Sequence, residues 1–352
     1  MTWKKKYLST FLLAIIFFML KPVASFAADE GIGFEISPIF PSSQIDPNKG
    51  YFYVQTSPGQ EQTLEINVQN TSDDEITVKP IIENAVASTK GSIVYDKDIK
   101  LTDKSLKNPI TEILTPNEES ITIPAKKDKV ITFTLKSPED SYEGIKMGRI
   151  KIVKEKTEAE KTGLSMEYEY AIGVIASESG DLFNDGNKLN LVDVKATIHL
   201  GQRVVSAEII NPDPKTIEGL RVRSYVTKKG SDKKIKENNI DNFALPPNSK
   251  LNFLIPWGVT NFEAGDYVFH FNAENEYDSF SLKKEFTIRG NDAKKLNNDA
   301  AFKVITPTYI KIIIVVMNAL LFVISFIIIK RNNTWVKELK SKKKGRNKKK
   351  RR

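Results

Sequence analysis

TLEINVQN, residues Thr63–Asn70, alternates Leu64, Ile66 and Val68 with polar side chains and ends on an asparagine. A period of two puts the apolar residues on one face of an extended chain, the pattern of a half-buried antiparallel strand. The pattern returns in VITFTLK, where Ile131, Phe133 and Leu135 alternate with polar neighbours. Farther along, Leu251, Phe253, Ile255 and Trp257 form a strong set, Tyr267, Phe269 and Phe271 another, and Leu220, Val222, Ser224 and Val226 a weaker one. Turn-forming clusters separate these runs: Thr71-Ser72-Asp73-Asp74, Lys90-Gly91-Ser92, Ser137-Pro138-Glu139-Asp140, Asn211-Pro212-Asp213-Pro214 and Lys229-Gly230-Ser231-Asp232. Helical periodicity is scarce before residue 290. The expected fold class is therefore all-β, built of immunoglobulin-like β-sandwiches.

Working outward from that strand reveals an internal echo. Asn70 is followed 54 residues later by Pro124 in IPAKKDKVITFTL, and Asn211 is followed 35 residues later by Pro246 in LPPNSKLNFLI. Each proline opens a lysine-bearing loop before an alternating strand. Gly144 then lies 20 residues after Pro124, and Gly265 lies 19 after Pro246. The halves differ mainly by an insertion of about twenty residues around Ser92–Thr115 in the first. Two tandem sandwiches are expected, over residues 28–178 and 179–290, meeting in the turn-rich segment Ser177–Lys188. KEKTEAEKTG, Lys154–Gly163, reads as a solvated hairpin tip joining two strands.

Both ends of the chain speak of a membrane. Residues 1–27 carry Lys4–Lys6, an apolar run over Leu8–Leu20 and Ser25-Phe26-Ala27, the order of a signal peptide cleaved before Ala28. From Ile312 to Ile329 there is no charge, and Asn318 and Ser325 are the only polar side chains. Residues 310–329 are thus expected to span a bilayer as a helix, preceded by a polar stalk with some helical character, 291–309, outside the folded core. Residues 330–352 form a basic tail with thirteen Lys or Arg and one acid, a net +12. Such a block belongs on the cytoplasmic side and leaves the ectodomain outside. The overall +9 therefore hides an acidic outer part, −7 over residues 28–329, and carries no argument for nucleic acid.

Little catalytic chemistry is visible. Cysteine is absent, which removes disulfides and thiolate ligands. His199 and His270, the only histidines, sit in strand-like ATIHLG and YVFHFN. No nucleophile elbow, zinc-protease helix motif or phosphate loop occurs, and the calcium-like DLFNDGN, Asp181–Asn187, places Phe183 where a second ligand is needed. No catalytic, metal or cofactor residue is assigned. Two sets of binding residues are. In Tyr51, Phe52 and Tyr53 adjacent rings must face opposite sides, so one ring at least points away from the core; it either stacks on a sugar or is an edge-strand aromatic with no role. Val222, Ser224 and Val226 lie in a proline-free run that would accept a partner's strand at a sheet edge; an interior strand is the other reading.

The ordered set of FEISPIFPSSQIDPNKGYFYVQTSPGQEQTLEINVQNTSDDEITV (Phe34–Val78), SYEGIKMGRIKI (Ser141–Ile152), YEYAIGV (Tyr168–Val174), INPDPKTIEGLRVRSYVTKKGS (Ile210–Ser231), LPPNSKLNFLIPW (Leu245–Trp257) and AGDYVFHF (Ala264–Phe271) resembles the WxL-interacting proteins, surface proteins of Firmicutes. The resemblance covers nearly the whole chain. It implies a first domain that binds peptidoglycan, a second that engages host or matrix ligands, and a WxL-domain surface protein as partner; it assigns no contact residue. The expected function is a membrane-anchored adhesion or scaffold protein without enzymatic activity. The alternative is a carbohydrate-active enzyme of the cell wall, or its accessory module, with a carboxylate pair in the first domain.

Overall fold

The computed structural model describes residues 32–98, 102–156, 167–302 and 307–349. The signal segment 1–27 and the greater part of the hairpin tip, 157–163, lie outside the described residues. The first sandwich runs through β1 (Phe34–Ile39), β2 (Phe52–Gln55), β3 (Glu61–Asn70), β4 (Ile76–Ala87), β5 (Ile93–Asp96), helix α1 (Ile110–Ile113), β6 (Leu114–Pro116), β7 (Ile121–Ile123), β8 (Asp128–Lys136), β9 (Ile145–Lys154) and β10 (Glu169–Ser177). One sheet has the order β1-β3-β8-β6, the other β2-β10-β9-β4-β5 with β7 also on β4. Ile66 stands opposite Ile131 and Leu64 opposite Phe133, so the alternating sets of β3 and β8 bury one shared face. The pairing of β2 with β10 is parallel.

The second sandwich comprises β11 (Asn190–His199), β12 (Gln202–Asn211), β13 (Ile217–Lys228), β14 (Lys234–Leu245), β15 (Ser249–Pro256), β16 (Gly265–Glu274) and β17 (Ser279–Ile288). Its sheets are β11-β12-β15 and β14-β13-β16-β17. Phe243, Phe253, Phe269 and Phe271 meet at the centre, each buried completely, and burial of one such ring is worth about 2 kcal/mol.

The echo has a structural cause. Buried Asn70 donates from Nδ2 to the carbonyls of Asp74 (2.8 Å), Ile123 (3.0 Å) and Pro124 (3.1 Å), and its Oδ1 accepts the N–H of Ser72. Asn211, also buried, donates to the carbonyls of Lys215 (2.9 Å) and Pro246 (2.8 Å), and its Oδ1 accepts the N–H of Asp213. In each sandwich one amide closes the turn after a central strand and ties it to a distant proline loop. A carboxamide suits this place because it donates and accepts at once.

The sandwiches pack end to end. The β4–β5 turn reaches the second domain, where Ala244 N–H donates to the Gly91 carbonyl (2.7 Å). Gly91 has φ +77, and a Cβ there would lie 1.8 Å from the Phe243 ring. The insertion is not a free loop: Thr102 bridges to Ser249, and Asp103 N–H donates to the Asn248 carbonyl (2.9 Å). Ile145 N–H adds a bond to the Pro214 carbonyl (2.9 Å).

Two expectations are corrected. Val222, Ser224 and Val226 are in an interior strand: β13 is flanked by β14 and β16, Ser224 stands in register with Asn238 and Phe271, and all three residues are fully buried. Alternation reports which face is apolar and is silent on which strands lie alongside. The polar stalk is likewise docked. Helix α2 (Gly290–Asp299) buries Ala293 and rests Leu296 against the second core. Arg203, on β12 and only 1% exposed, donates to Asn297 Oδ1 (2.9 Å), the Asn297 carbonyl (3.1 Å), Asn261 Oδ1 (3.1 Å) and the Phe302 carbonyl (3.0 Å). Helix α3 (Thr308–Lys349) follows; its apolar part, Thr308–Asn332, is long enough to cross a membrane and makes no packed contact with the sandwiches.

Candidate functional site: a cleft between the sandwiches

Parallel pairing to β10 places Phe52 beside Val174 and Tyr53 beside Ile175. Period two then separates the three rings. Phe52 points into the first core, fully buried, with Phe40 edge-on at 5.8 Å. Tyr53 points the other way but is 6% exposed: Phe183 covers it edge-on at 5.3 Å, and its hydroxyl donates to the Asp181 carbonyl (2.9 Å). Of the three expected ligand residues, Phe52 and Tyr53 are therefore packing residues, because the core takes one face and the interdomain linker takes the other. Tyr51 alone is left half-exposed. The free edge of β2 is covered by the proline-rich lead: Ile45 N–H bonds to the Tyr53 carbonyl (2.7 Å), and Gln44 bonds to the Tyr51 carbonyl and the Tyr53 N–H (3.0 and 3.1 Å).

Tyr51 lines a cleft of about 460 Å³ together with Lys49, Tyr95, Met147, Gly148, Gly173, Phe183, Asn184 and Glu218. This is within the size range of small-molecule and saccharide sites. Its floor is the outer face of the β10–β9 pair, where Gly173 offers no side chain; a Cβ there would touch the Tyr51 side chain at 3.4 Å. Tyr51 rises at one wall and Tyr95, from β5, at the other. Phe183 and Asn184 come from the linker, and Glu218 from β13 of the second sandwich.

Both phenols are shifted above their ordinary value, chiefly by burial. Burial, then Asp46 and Glu218, push Tyr51 above its usual pKa. Burial also raises Tyr95, against the opposing pull of Arg149, whose guanidinium lies 5.1 Å from the ring centroid. Arg149 is held by Glu83 and Glu169, which Lys151 also bridges at 3.2 and 3.3 Å. The lining thus offers three flat rings, two of them with hydroxyls, one cation and one carboxylate. Glu218 accepts from the Thr216 hydroxyl (2.8 Å), and no second acid stands across the cleft from it among the lining residues.

The remaining candidates stay apart. His199 is exposed at the end of β11, and His270 stacks on Tyr225 with centroids 4.5 Å apart. In the calcium-like segment Asp185 is taken by Lys215 (2.9 Å), and among the described residues no group of three metal-ligating side chains lies together. Tyr95 and Glu218 were not singled out by the sequence, and Phe183 only as the residue that breaks the calcium-like pattern. They come from three separate segments, and Tyr95 in IVYD carries only a short, weak alternation.

Comparison with known proteins also divides the chain in two. Residues 34–154 match the family model described as WxL Interacting Protein, peptidoglycan binding domain, and residues 159–298 match WxL Interacting Protein, host binding domain. The second span includes β10, which hydrogen-bonds within the first sandwich, so the cleft draws on both spans. No curated protein matches the chain. Similar solved structures include the class 5 fimbriae chaperone CfaA, 14% identical over 72% of this chain and 98% of that one with a TM-score of 0.28. Another is the CsuC–CsuE chaperone–tip adhesion subunit pre-assembly complex of Acinetobacter baumannii, 13% identical over 71% and 97% with a TM-score of 0.31. The E. coli chaperone DraB is 12% identical over 65% and 90% with a TM-score of 0.25.

Proposed function

Because the chain belongs to the WxL-interacting protein family, we propose that it is a membrane-anchored scaffold that holds peptidoglycan in the cleft between Tyr51 and Tyr95. The family's paired peptidoglycan binding and host binding domains are the equipment of a surface adhesion protein. The observation that carries the assignment of the cleft is its composition. Two neutral tyrosines flank a glycine-floored slot, with Lys49, Asn184 and Glu218 at hand. The C–H faces of a pyranose stack on such rings, and its hydroxyls need the polar groups around them.

The remaining assignments are part of the same reading. Helix α3 anchors the protein with the sandwiches outside and the basic tail in the cytoplasm, supported by its apolar length and the +12 block that follows. A WxL-domain surface protein is the partner, and a host matrix protein is a ligand of the second sandwich. The activity is binding without turnover: glycoside hydrolysis needs two placed carboxylates, and Glu218 is alone in the lining.

One experiment tests the core of this. The full-length protein in detergent is incubated with purified peptidoglycan, and both sedimentation and soluble sugar are measured. Co-sedimentation without sugar release is expected. Released sugar establishes the enzyme instead, and absence of sedimentation removes peptidoglycan as the ligand. For orientation, external protease on protoplasts should digest the sandwiches and leave a tail epitope intact; loss of that epitope reverses the topology.

A further inference from the structure

The second sandwich has two poles. At one, the Gly91–Ala244 and Ile145–Pro214 contacts attach the first sandwich. At the other lie the β11–β12 turn, the turn after β15 and the β13–β14 hairpin, together with the point where β17 ends. The pairs His199–Gln202, Val204–Pro256, Thr227–Lys234 and Gly265–Ile288 fix all four at that end. The chain leaves for the membrane from here, and it is tied down as it leaves: Ala301 N–H donates to the Gly201 carbonyl (2.9 Å), and Arg203 holds the Phe302 carbonyl. From Phe302 to Thr308 the chain can span at most about 20 Å.

Three apolar side chains project from this pole. Leu200 is 84% exposed, Val259 53% and Phe302 55%. Leu200 is the informative one. It occupies the first position of a two-residue hairpin turn with φ +48, followed by Gly201 at φ +75. Asn, Asp or Gly is comfortable in that conformation, and a branched apolar side chain is not. The fold gains nothing from leucine there, since the side chain packs against almost nothing.

We propose that this pole rests on the outer surface of the bilayer, with Leu200, Val259 and Phe302 seated among the lipid headgroups and upper acyl chains. The tether holds the three tips within reach of the interface, and apolar tips at an interface bury surface that water would otherwise meet. Charge plays the lesser part. Lys228, Lys229 and Lys234 on the neighbouring hairpin are matched by Glu263, Glu285 and Glu237, so seating depends little on anionic lipid. The ectodomain then stands on the membrane rather than swinging from it.

The proposal rests on α3 spanning the bilayer, and the test separates the two. The chain has no cysteine, so single variants Leu200→Cys, Val259→Cys, Leu182→Cys and Val323→Cys each take one polarity-sensitive fluorophore. The full-length variants are reconstituted in phosphatidylcholine vesicles, with and without phosphatidylglycerol, containing lipids that bear a nitroxide at shallow or deep acyl positions. Leu182 is an exposed control in the interdomain linker beside the cleft, and Val323 reports the helix. Expected are shallow quenching and a blue shift at positions 200 and 259 in both lipid mixtures, deep quenching at 323 and no change at 182. Quenching at 323 without quenching at 200 and 259 overturns the docked pole while leaving the anchor standing. No quenching at 323 overturns the anchor and the docking with it. Quenching at 182 as well means the molecule lies flat, which also overturns the proposal. Quenching at 200 and 259 only with phosphatidylglycerol assigns the contact to charge and overturns the apolar seating. Leu200→Asn, which suits the turn, should keep the fold and reduce quenching at 259; unchanged quenching there shows that the leucine is not the seat.

Discussion

The two sandwiches share a strand plan and differ in what is added to it. The order β1-β3-β8 corresponds to β11-β12-β15, and β10-β9-β4 corresponds to β17-β16-β13. In the first, the outer edge of β10 is covered by β2, and an insertion between β5 and β7, which together take β14's place beside β4, supplies α1, β6 and the strap to Ser249. In the second, among the described residues, no strand pairs beyond β17, and the addition is instead a helix docked through Arg203. The common part makes cores. The unshared parts contribute walls of the cleft and lead into the apolar helix α3, so the proposed binding and anchoring both draw on the departures from the repeat.

The largest effect that can break this comparison is Ser224→Pro. Correspondence makes β13 the equivalent of β4, an interior strand, and Ser224 is paired on both sides. Proline removes an N–H from the ladder and cannot be housed there. The second sandwich should fail to fold, read as loss of one thermal transition and of β signal in circular dichroism; a folded variant would place β13 at an edge after all. Next come Asn70→Asp and Asn211→Asp. Each puts a carboxylate where an amide donates to two or three carbonyls, and each should cost about 3 kcal/mol in urea unfolding. Near-equal losses sharpen the equivalence of the two asparagines. A loss confined to one domain breaks it.

Smaller effects separate packing from binding. Tyr51→Ala should lower peptidoglycan retention about tenfold, a change of about 1.4 kcal/mol, and leave the melting temperature nearly unchanged because the ring is half-exposed. Unchanged retention would move the ligand out of the cleft. The smallest effect is a pH dependence confined to the second sandwich. Burial, then Lys283, hold His270 below its ordinary value of 6.5. The unfolded chain takes up this proton before the folded one does, so the stability is whole above that value and declines as pH falls below it. Thermal melts between pH 8 and 5.5 should show a slight fall for this domain, flattened in His270→Gln; a rise toward acid would contradict the assignment.

Strands, turns and the asparagine–proline echo were legible because each depends on local pattern: Leu64, Ile66 and Val68 declare a face, and Asn70 and Asn211 recur before matched loops. The alternation through Tyr51, Phe52 and Tyr53 was readable as rings on opposite sides. That Phe183 would cover Tyr53 was not, since the covering segment lies about 130 residues away in sequence. The position of β13 among its neighbours is a matter of sheet order, which periodicity does not encode. The helical character of this segment is legible but its docking is not, because the helix has little apolar content, Ala293 and Leu296, and its main tie is a single buried arginine on a distant strand.

That arginine also decides where a mechanical pull would go. If the cleft holds the cell wall and α3 is the anchor, as proposed, tension between them runs through the second sandwich, and the covalent route enters β17, bonded to β16 along ten registered pairs. A tug along the strand axis strains those bonds in shear, so they resist together rather than opening one at a time. Arg203 provides a second route. By gripping Asn297 and the Phe302 carbonyl from β12, the middle strand of the opposite sheet, it divides the force between both sheets before either edge can peel.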